Sequence, residues 1–409
     1  MTDYRSDFPL LTSRGFRKDV GMEHDWIYID NAATSQRPQA VLDAEEEFYK
    51  EHNANPLRGN YPLSIEATQM YEDARKAVRD FIGAKSVREI IFTRNTTEGI
   101  NLVAYSYALP RLKPGDEILV TIMEHHSNLL PWQMAARRTG ATLKYLECEP
   151  DGSFTEEKIC DAVTPHTKLA ALTLVSNVLG RATPAEKLIG MVHENGGVVL
   201  ADAAQAAPHM PIDVTALDVD FLAFSGHKLM APMGIGVLYG KQELLEEMPP
   251  FLGGGDMVDT VTFAKTTYAP VPLKFEAGTA NFSGAIALGE AVKFVQRFDP
   301  EEVERHEQAL LRRATERLAA IDGLRIYGTA PGKCAIVSFN VEGVHPYDMG
   351  MILDKLGIAV RTGQHCAEPV MDHYGTTGMC RASFALYNTL AEADALAAGV
   401  ERAVKMLRN

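Results

Sequence analysis

Only five of the 409 residues are cysteine (Cys148, Cys160, Cys334, Cys366 and Cys380), and no two stand in a C-x-x-C pair. So sparse and irregular a set supports neither a disulfide framework nor a zinc site, and it fits a reducing cytoplasm. Positive charge is also short: 40 basic residues face 54 acidic ones, for a net charge of −14. That balance argues against nucleic acid or an anionic membrane as the main partner, while leaving room for a local basic pocket around a phosphate. No apolar run approaches the ~20 residues of a membrane span. The polar, mixed-charge opening Met1-Thr2-Asp3-Tyr4-Arg5-Ser6-Asp7 does not read as a secretory signal. A G-x-G-x-x-G turn after a first strand is missing, which argues against an NAD-binding dehydrogenase, and so is the Gly-Lys-Ser/Thr ending of a Walker loop. Internal repeats, low-complexity tracts and an obvious flexible linker are absent too.

What is present describes a large α/β protein. At 409 residues the chain exceeds the ~250–300 residues at which single cores stop growing, so two lobes are expected. Hydrophobic residues make up 46% and charged residues 23%, an ordinary globular balance. Glu89–Thr93, Glu117–Thr121, Ala170–Val175, Gly197–Asp202 and Phe221–Ser225 read as strands, and Thr97–Val103 opens a helix. Continuous apolar strands separated by helical stretches predict a mostly parallel sheet covered on both faces. From Pro300 the pattern changes. Glu301–Leu318 is a charged amphipathic helix, Ala335–Phe339 and Ile358–Arg361 are strand-like, Pro346–Leu356 is helical, and Glu392–Leu407 closes the chain as a helix. The expected division is a large unit over 26–294 and a smaller α+β unit made of 1–25 with 295–409.

Five segments carry the residue types of a catalytic centre. In Phe221-Leu222-Ala223-Phe224-Ser225-Gly226-His227-Lys228 an apolar strand delivers a histidine and a lysine at its carboxyl end, where open α/β sheets bind ligands. Lysine suits imine chemistry when desolvation or nearby cations lower its pKa. Val198-Val199-Leu200-Ala201-Asp202-Ala203-Ala204-Gln205 ends its apolar run on Asp202, 26 residues before Lys228. A buried carboxylate there needs a cationic or hydrogen-bonding partner. Thr93-Arg94-Asn95-Thr96-Thr97-Glu98-Gly99 sets two hydroxyls at a helix N-terminus, a ready anion site. Glu124-His125-His126-Ser127-Asn128 offers an aromatic lid over a planar ligand; a metal would need further ligands that the spacing does not supply. Arg361-Thr362-Gly363-Gln364-His365-Cys366 puts a thiol in a polar loop, and Arg381 of Cys380-Arg381-Ala382-Ser383 can grip a carboxylate bidentately. Each segment also has a plain structural alternative: a loop lysine, a helix-capping aspartate, an empty cap, a core histidine, a small buried cysteine. Cys148, Cys160, Cys334 and Cys380 are read as structural.

In this order the five segments resemble the aminotransferase class V family of pyridoxal-phosphate (PLP) enzymes, and within it the group II (SUF-type) cysteine desulfurases and selenocysteine lyase-like proteins. The likeness runs from Tyr28-Ile29-Asp30-Asn31-Ala32-Ala33-Thr34 to Arg381-Ala382-Ser383-Phe384-Ala385-Leu386-Tyr387-Asn388. The resemblance implies a PLP-dependent transferase fold of type I: α/β, a mostly parallel sheet flanked by helices, and a smaller α+β C-terminal domain carrying the Cys366 loop. It implies pyridoxal 5'-phosphate held by Lys228 as a Schiff base, with Asp202 on the pyridine nitrogen, Gln205 on the phenolic oxygen and His125 on the ring. Thr96 or Thr97, Ser225 and His227 would hold the phosphate. Thr279, in Glu276-Ala277-Gly278-Thr279, would reach the phosphate of the neighbouring subunit in a homodimer. Asn177 and Arg381, with Arg361, would bind the substrate. No metal is implied.

The implied reaction converts L-cysteine to L-alanine. Lys228 serves as general base, and Cys366 takes the sulfur as a persulfide for an acceptor protein, as in iron–sulfur cluster assembly. The alternative within the family is a selenocysteine lyase acting on L-selenocysteine, a cysteine sulfinate desulfinase or another PLP-dependent C–S lyase. Four positions depart from the pattern. Leu57, Tyr61 and Gln364 stand where histidines are common, and Glu368 stands where an uncharged residue is common. These departures bear on substrate range and sulfur acceptor, not on the cofactor.

Overall fold

The computed structural model describes residues 4–12, 26–57 and 59–408. After Ile27–Tyr28 (β1), the strands Ile90–Thr93 (β2), Glu117–Thr121 (β3), Thr142–Leu146 (β4), Thr167–Thr173 (β5), Val198–Asp202 (β6), Phe221–Ser225 (β7) and Gly236–Gly240 (β8) follow. β2 to β8 form one seven-stranded sheet in the order β2-β8-β7-β6-β5-β3-β4. β4, β3, β5, β6 and β7 are parallel, and β8 runs antiparallel between β7 and β2. The expected mostly parallel sheet is found, with one reversed strand that hydrophobic runs alone did not reveal.

Alternation along β7 shows why its sequence is apolar throughout. Phe221 and Ala223 enter the core on one face, and Leu222 and Phe224 enter the core on the other, so every position is buried and none alternates to polar. The helix Leu130–Thr139, with Trp132, covers the first face. The helices Pro62–Phe81 and Phe282–Gln296 cover the second. β2, β3, β5, β6 and β7 share one direction, so Thr93, Thr121, Thr173, Asp202 and Ser225 end on one edge. Chain order reverses between β3 and β5, the kind of switch point at which α/β sheets open a crevice.

Val258–Val261 (β9) and Thr266–Tyr268 (β10) form a hairpin. Leu324–Tyr327 (β11), Ile336–Val341 (β12), Ile358–Ala359 (β13), Arg361–Gly363 (β14) and Met379–Ser383 (β15) complete the strands. β11-β12-β15-β14 is an antiparallel sheet, and β13 pairs in parallel with β1. The helices Pro300–Ala319 and Leu390–Leu407 pack on it around Leu310, Phe339 and Leu396. Both start where chemistry dictates: Asp299 caps Pro300, and Thr389 with Glu392 makes a reciprocal capping box. Ile29 joins this second core, and the hydroxyl of Ser338 donates to the Val178 carbonyl (2.6 Å) from the β5 side. The two sheets are thereby tied where the carboxyl ends of the large one open.

Of the segment 1–25, residues 1–3 and 13–25 lie outside the described residues. Tyr4, Phe8 and Leu11 bury in a cluster of their own with Phe294 of the helix Phe282–Gln296 and with Tyr387. Among the described residues no helix is long and apolar enough to cross a membrane.

Candidate active site

Lys228 stands in the single turn Gly226–Lys228 that follows β7. The turn folds back tightly onto the start of β8: the Gly226 N–H bonds to the Ile235 carbonyl (2.9 Å). A Cβ on Gly226 would sit 2.9 Å from Ile235 Cγ2, so glycine is what lets the turn close and aim the lysine across the strand ends. The cavity it enters is lined by Thr96, Thr97, His125, Asn177, Asp202, Gln205, Ser225, His227, Arg361, Cys366 and Arg381, among others. All the expected site residues except Thr279 therefore meet in one place, although they are spread over nearly 300 positions of sequence.

One wall is a cradle of hydroxyls and amides. Asn95 caps the helix Thr96–Val103, its side chain accepting from the Glu98 N–H (3.0 Å). The Thr96 N–H donates to Ser225 Oγ (2.9 Å), and Thr96 Oγ1 lies 2.7 Å from the same atom. Thr97 Oγ1 is 2.6 Å from Ser127 Oγ. Such a helix start, rich in hydroxyls and free N–H groups, favours an anion. His227 borders it and is held neutral: burial, then Lys228, pull its pKa down to about 4.

The opposite wall is set for a ring. Asp202 ends β6 fully enclosed, with Oδ1 accepting from the Ala204 N–H (2.9 Å). Burial raises its pKa, and the attraction of Lys228 opposes that. Gln205 Nε2 donates to the Ala32 carbonyl (2.8 Å), leaving its Oε1 buried with no partner among the described residues. An unmet acceptor beside a buried carboxylate is costly, and a ligand in the cavity that donates to both would offset that cost. His125 Nδ1 accepts from the Ser127 N–H (3.1 Å), so the neutral ring carries its proton on Nε2. Burial, then Lys228, hold its pKa at about 3. The same burial lowers Lys228 to about 8; Asp202 works against it, while Arg381 and Arg361 push with it.

The third wall comes from the smaller sheet. Arg381, in mid-β15, donates from Nη1 to the Asn177 carbonyl (2.8 Å) and from Nη2 to Asp30 Oδ1 (3.1 Å), while its buried Nε has no partner among the described residues. Asn177 Nδ2 donates to the His365 carbonyl (2.8 Å), and the His126 N–H donates to the Cys366 carbonyl (2.8 Å). Two consecutive carbonyls of the thiol loop are thus held by the large sheet. Both His365 (φ +55°) and Cys366 (φ +56°) are left-handed, a conformation that costs about 1–3 kcal/mol at a non-glycine residue and persists only where surroundings impose it.

A family model described as aminotransferase class-V matches residues 27–396. The chain belongs to that family. A probable cysteine desulfurase of Streptomyces coelicolor is 48% identical over 403 residues, covering 97% of this chain and 95% of that one. The crystal structure of the cysteine desulfurase CsdA (S-sulfonic acid) from Escherichia coli matches with a TM-score of 0.90 at 41% identity, over 98% of each chain. The apo structure of a cysteine desulfurase from Thermococcus onnurineus NA1 matches with a TM-score of 0.92 at 40% identity, covering 99% of this chain and 98% of that one. The fold type expected from the resemblance is therefore the one this class V chain has.

This class V site also holds residues that motif reading gave no role. Glu124 is buried under the His125 turn, accepting from Thr121 Oγ1 (2.6 Å), the Thr173 N–H (3.0 Å) and Asn128 Nδ2 (2.6 Å). Burial pushes its carboxyl up to about 8 despite those donors. Its position after a strand was visible in sequence; its partner on β5 was not. Asp30 likewise gains meaning only from Arg381, 351 positions away. None of the four departures, Leu57, Tyr61, Gln364 and Glu368, lines the cavity; Glu368 touches His126 beside it. Thr279 lines a separate cavity with Arg94 and Asn281, outside reach of Lys228 within one chain.

Proposed function

We propose that this chain is a PLP-dependent cysteine desulfurase, forming L-alanine from L-cysteine and keeping the sulfur as a persulfide on Cys366 for an acceptor protein. The observation that carries the reading is the convergence of a lysine with lowered pKa, a buried carboxylate and a loop thiol on one cavity. The residues fit PLP. The hydroxyl cradle of Thr96, Thr97, Ser225 and His227 suits its phosphate, Asp202 its ring nitrogen, Gln205 with its unmet acceptor its ring hydroxyl, and His125 its face. When bound, PLP supplies an electron sink for the charge left at the substrate α-carbon. In the proposed homodimer, Thr279 serves the partner's phosphate, which accounts for its place outside the Lys228 cavity of its own chain.

The side chains then divide the work. Arg381, with Nε free, and Arg361 at the cavity mouth hold the substrate carboxylate, while Asn177 fixes the loop opposite. Lys228 takes the α-proton, since its amine is readily neutral near pH 8. Cys366 attacks the substrate sulfur as thiolate; the S–S bond forms as the C–S bond breaks, its electron pair going to carbon. The carbon skeleton takes up two protons, the α-proton at Cα and one equal to that lost from the substrate thiol at Cβ, which completes L-alanine and leaves the persulfide on Cys366.

The test uses holoprotein, L-cysteine and a reductant, with alanine and sulfide both assayed. Equal alanine and sulfide, lost in both Lys228→Ala and Cys366→Ala, are expected. Full alanine production by Cys366→Ala would overturn the persulfide step, and absence of bound PLP after reconstitution would overturn the whole reading.

A further inference from the structure

We propose that Glu368 and His126 form a clasp that seats the Cys366 loop on the cofactor side of the site, making Glu368 a positioning residue for the thiol. The proposal rests on the role given to Cys366 above. His126 holds the loop at two points. Its backbone N–H donates to the Cys366 carbonyl (2.8 Å), and its ring Nε2 contacts the Glu368 carboxylate. Glu368 is the first residue of the helix Glu368–Tyr374, so the clasp fastens the loop and the helix that ends it to the same histidine. His126 in turn opens the short turn His126–Asn128, capped by His125 and braced from below by Glu124 through Asn128. A shift of the clasp would therefore move the thiol relative to His125 and Lys228, not relative to its own helix.

The need for a clasp comes from the backbone. His365 and Cys366 are both left-handed, so the loop is under strain that released contacts would let it relieve. The clasp residues are partly exposed, with side chains 31% and 41% accessible. A pair this open adds little to global stability. It acts on a local equilibrium instead, between a seated and a lifted loop, where a small free energy decides the population.

The experiment measures alkylation of Cys366 in holoprotein by iodoacetamide, read by peptide mass, with exposed Cys160 as internal reference. Glu368→Ala should raise the Cys366/Cys160 labelling ratio about threefold, with an unchanged melting temperature. Glu368→Gln, which keeps the length and polarity of the side chain against the ring, should recover part of the effect. Adding His126→Ala to Glu368→Ala should raise the ratio no further. In turnover, kcat should fall while KM for L-cysteine stays put. A labelling ratio unmoved by Glu368→Ala and Glu368→Gln, or Cys160 labelling that rises in parallel, overturns the clasp. Labelling needs no catalysis, so the result stands apart from whether the chain desulfurates cysteine.

Discussion

Lys228 illustrates how far one residue's chemistry depends on its surroundings. An exposed lysine is charged far above neutrality, but the strand-end cavity lowers this one to about 8, with burial as the main cause and Arg381 and Arg361 adding to it. Its uncharged amine is the form that can react with an aldehyde. The rate at which the apo-protein captures PLP, followed by visible absorbance, should therefore rise through about pH 8 and level off above it. Arg361→Ala removes a cation that opposes the lysine's charge, so the midpoint should move to higher pH. A midpoint near that of free lysine in the unsubstituted protein would show that the ammonium is solvated rather than enclosed. Histidine behaves in the same sense: His125, His227 and His365 are all pulled well below neutrality, burial leading in each case. The site's positive charge is thus concentrated on arginine and lysine, where an anionic ligand can use it.

At the scale of elements, the role proposed for Thr279 depends on how the loop Glu276–Thr279 is anchored. Glu276 accepts from Arg75 Nη1 (2.7 Å) and Nη2 (2.9 Å), from Tyr71 Oη (2.9 Å) and from the Phe92 N–H (2.8 Å). One carboxylate therefore joins the helix Pro62–Phe81, β2 and the loop that carries Thr279. Burial disfavours the Arg75 charge, yet Glu276 and its neighbours overcome this and raise the guanidinium's pKa. Breaking such a buried pair by removing one partner costs about 3–5 kcal/mol. Arg75→Ala should lose that much in denaturant unfolding, whereas Arg313→Ala, whose Asp394 partner lies at the surface, should leave the unfolding midpoint nearly where it was. Similar losses for both would mean that the buried cluster contributes no more than a surface pair. The hairpin β9–β10, by contrast, leaves Val261 and Tyr268 partly bare and Phe263 fully so. A strand pair with so little of its own to bury is not stabilised by burial within this chain.

For the whole molecule, the proposed homodimer has a consequence for cofactor retention. Thr279 lies in its own cavity away from Lys228, so it can help hold PLP only across a subunit boundary. Sedimentation should show a dimer, and Thr279→Ala should release PLP faster on dilution while each chain keeps its fold and its Lys228 cavity. A monomer that retains PLP equally with or without the Thr279 hydroxyl would contradict both points. The two sheets meet at the same edge, since Arg381 of β15 contacts Asn177 and Asp30. The walls of the Lys228 cavity are therefore shared between the two sheets rather than supplied by one.

Much of this was legible in the sequence, and for a physical reason. A strand buried on both faces must be apolar along its length, so β3, β6 and β7 announced themselves, and the polar residues at their carboxyl ends stood out by contrast. Lys228, Asp202, Thr96 and His125 were found that way, and Cys366 by its polar neighbours. The helices over 301–318 and 392–407 were read from their amphipathic pattern, because a helix that buries one face repeats its apolar residues locally. β8 was missed because its direction is set by its hydrogen-bonded partners and not by its own composition. The hairpin β9–β10 escaped because it presents little buried surface to leave a pattern. The pairing of Asp30 with Arg381, the seating of Glu124 under β5 and the contact of Glu368 with His126 join residues far apart in sequence, and their meaning is a distance. Local chemistry fixes which residues can act; only the closing of two sheets on one edge decides which of them act together.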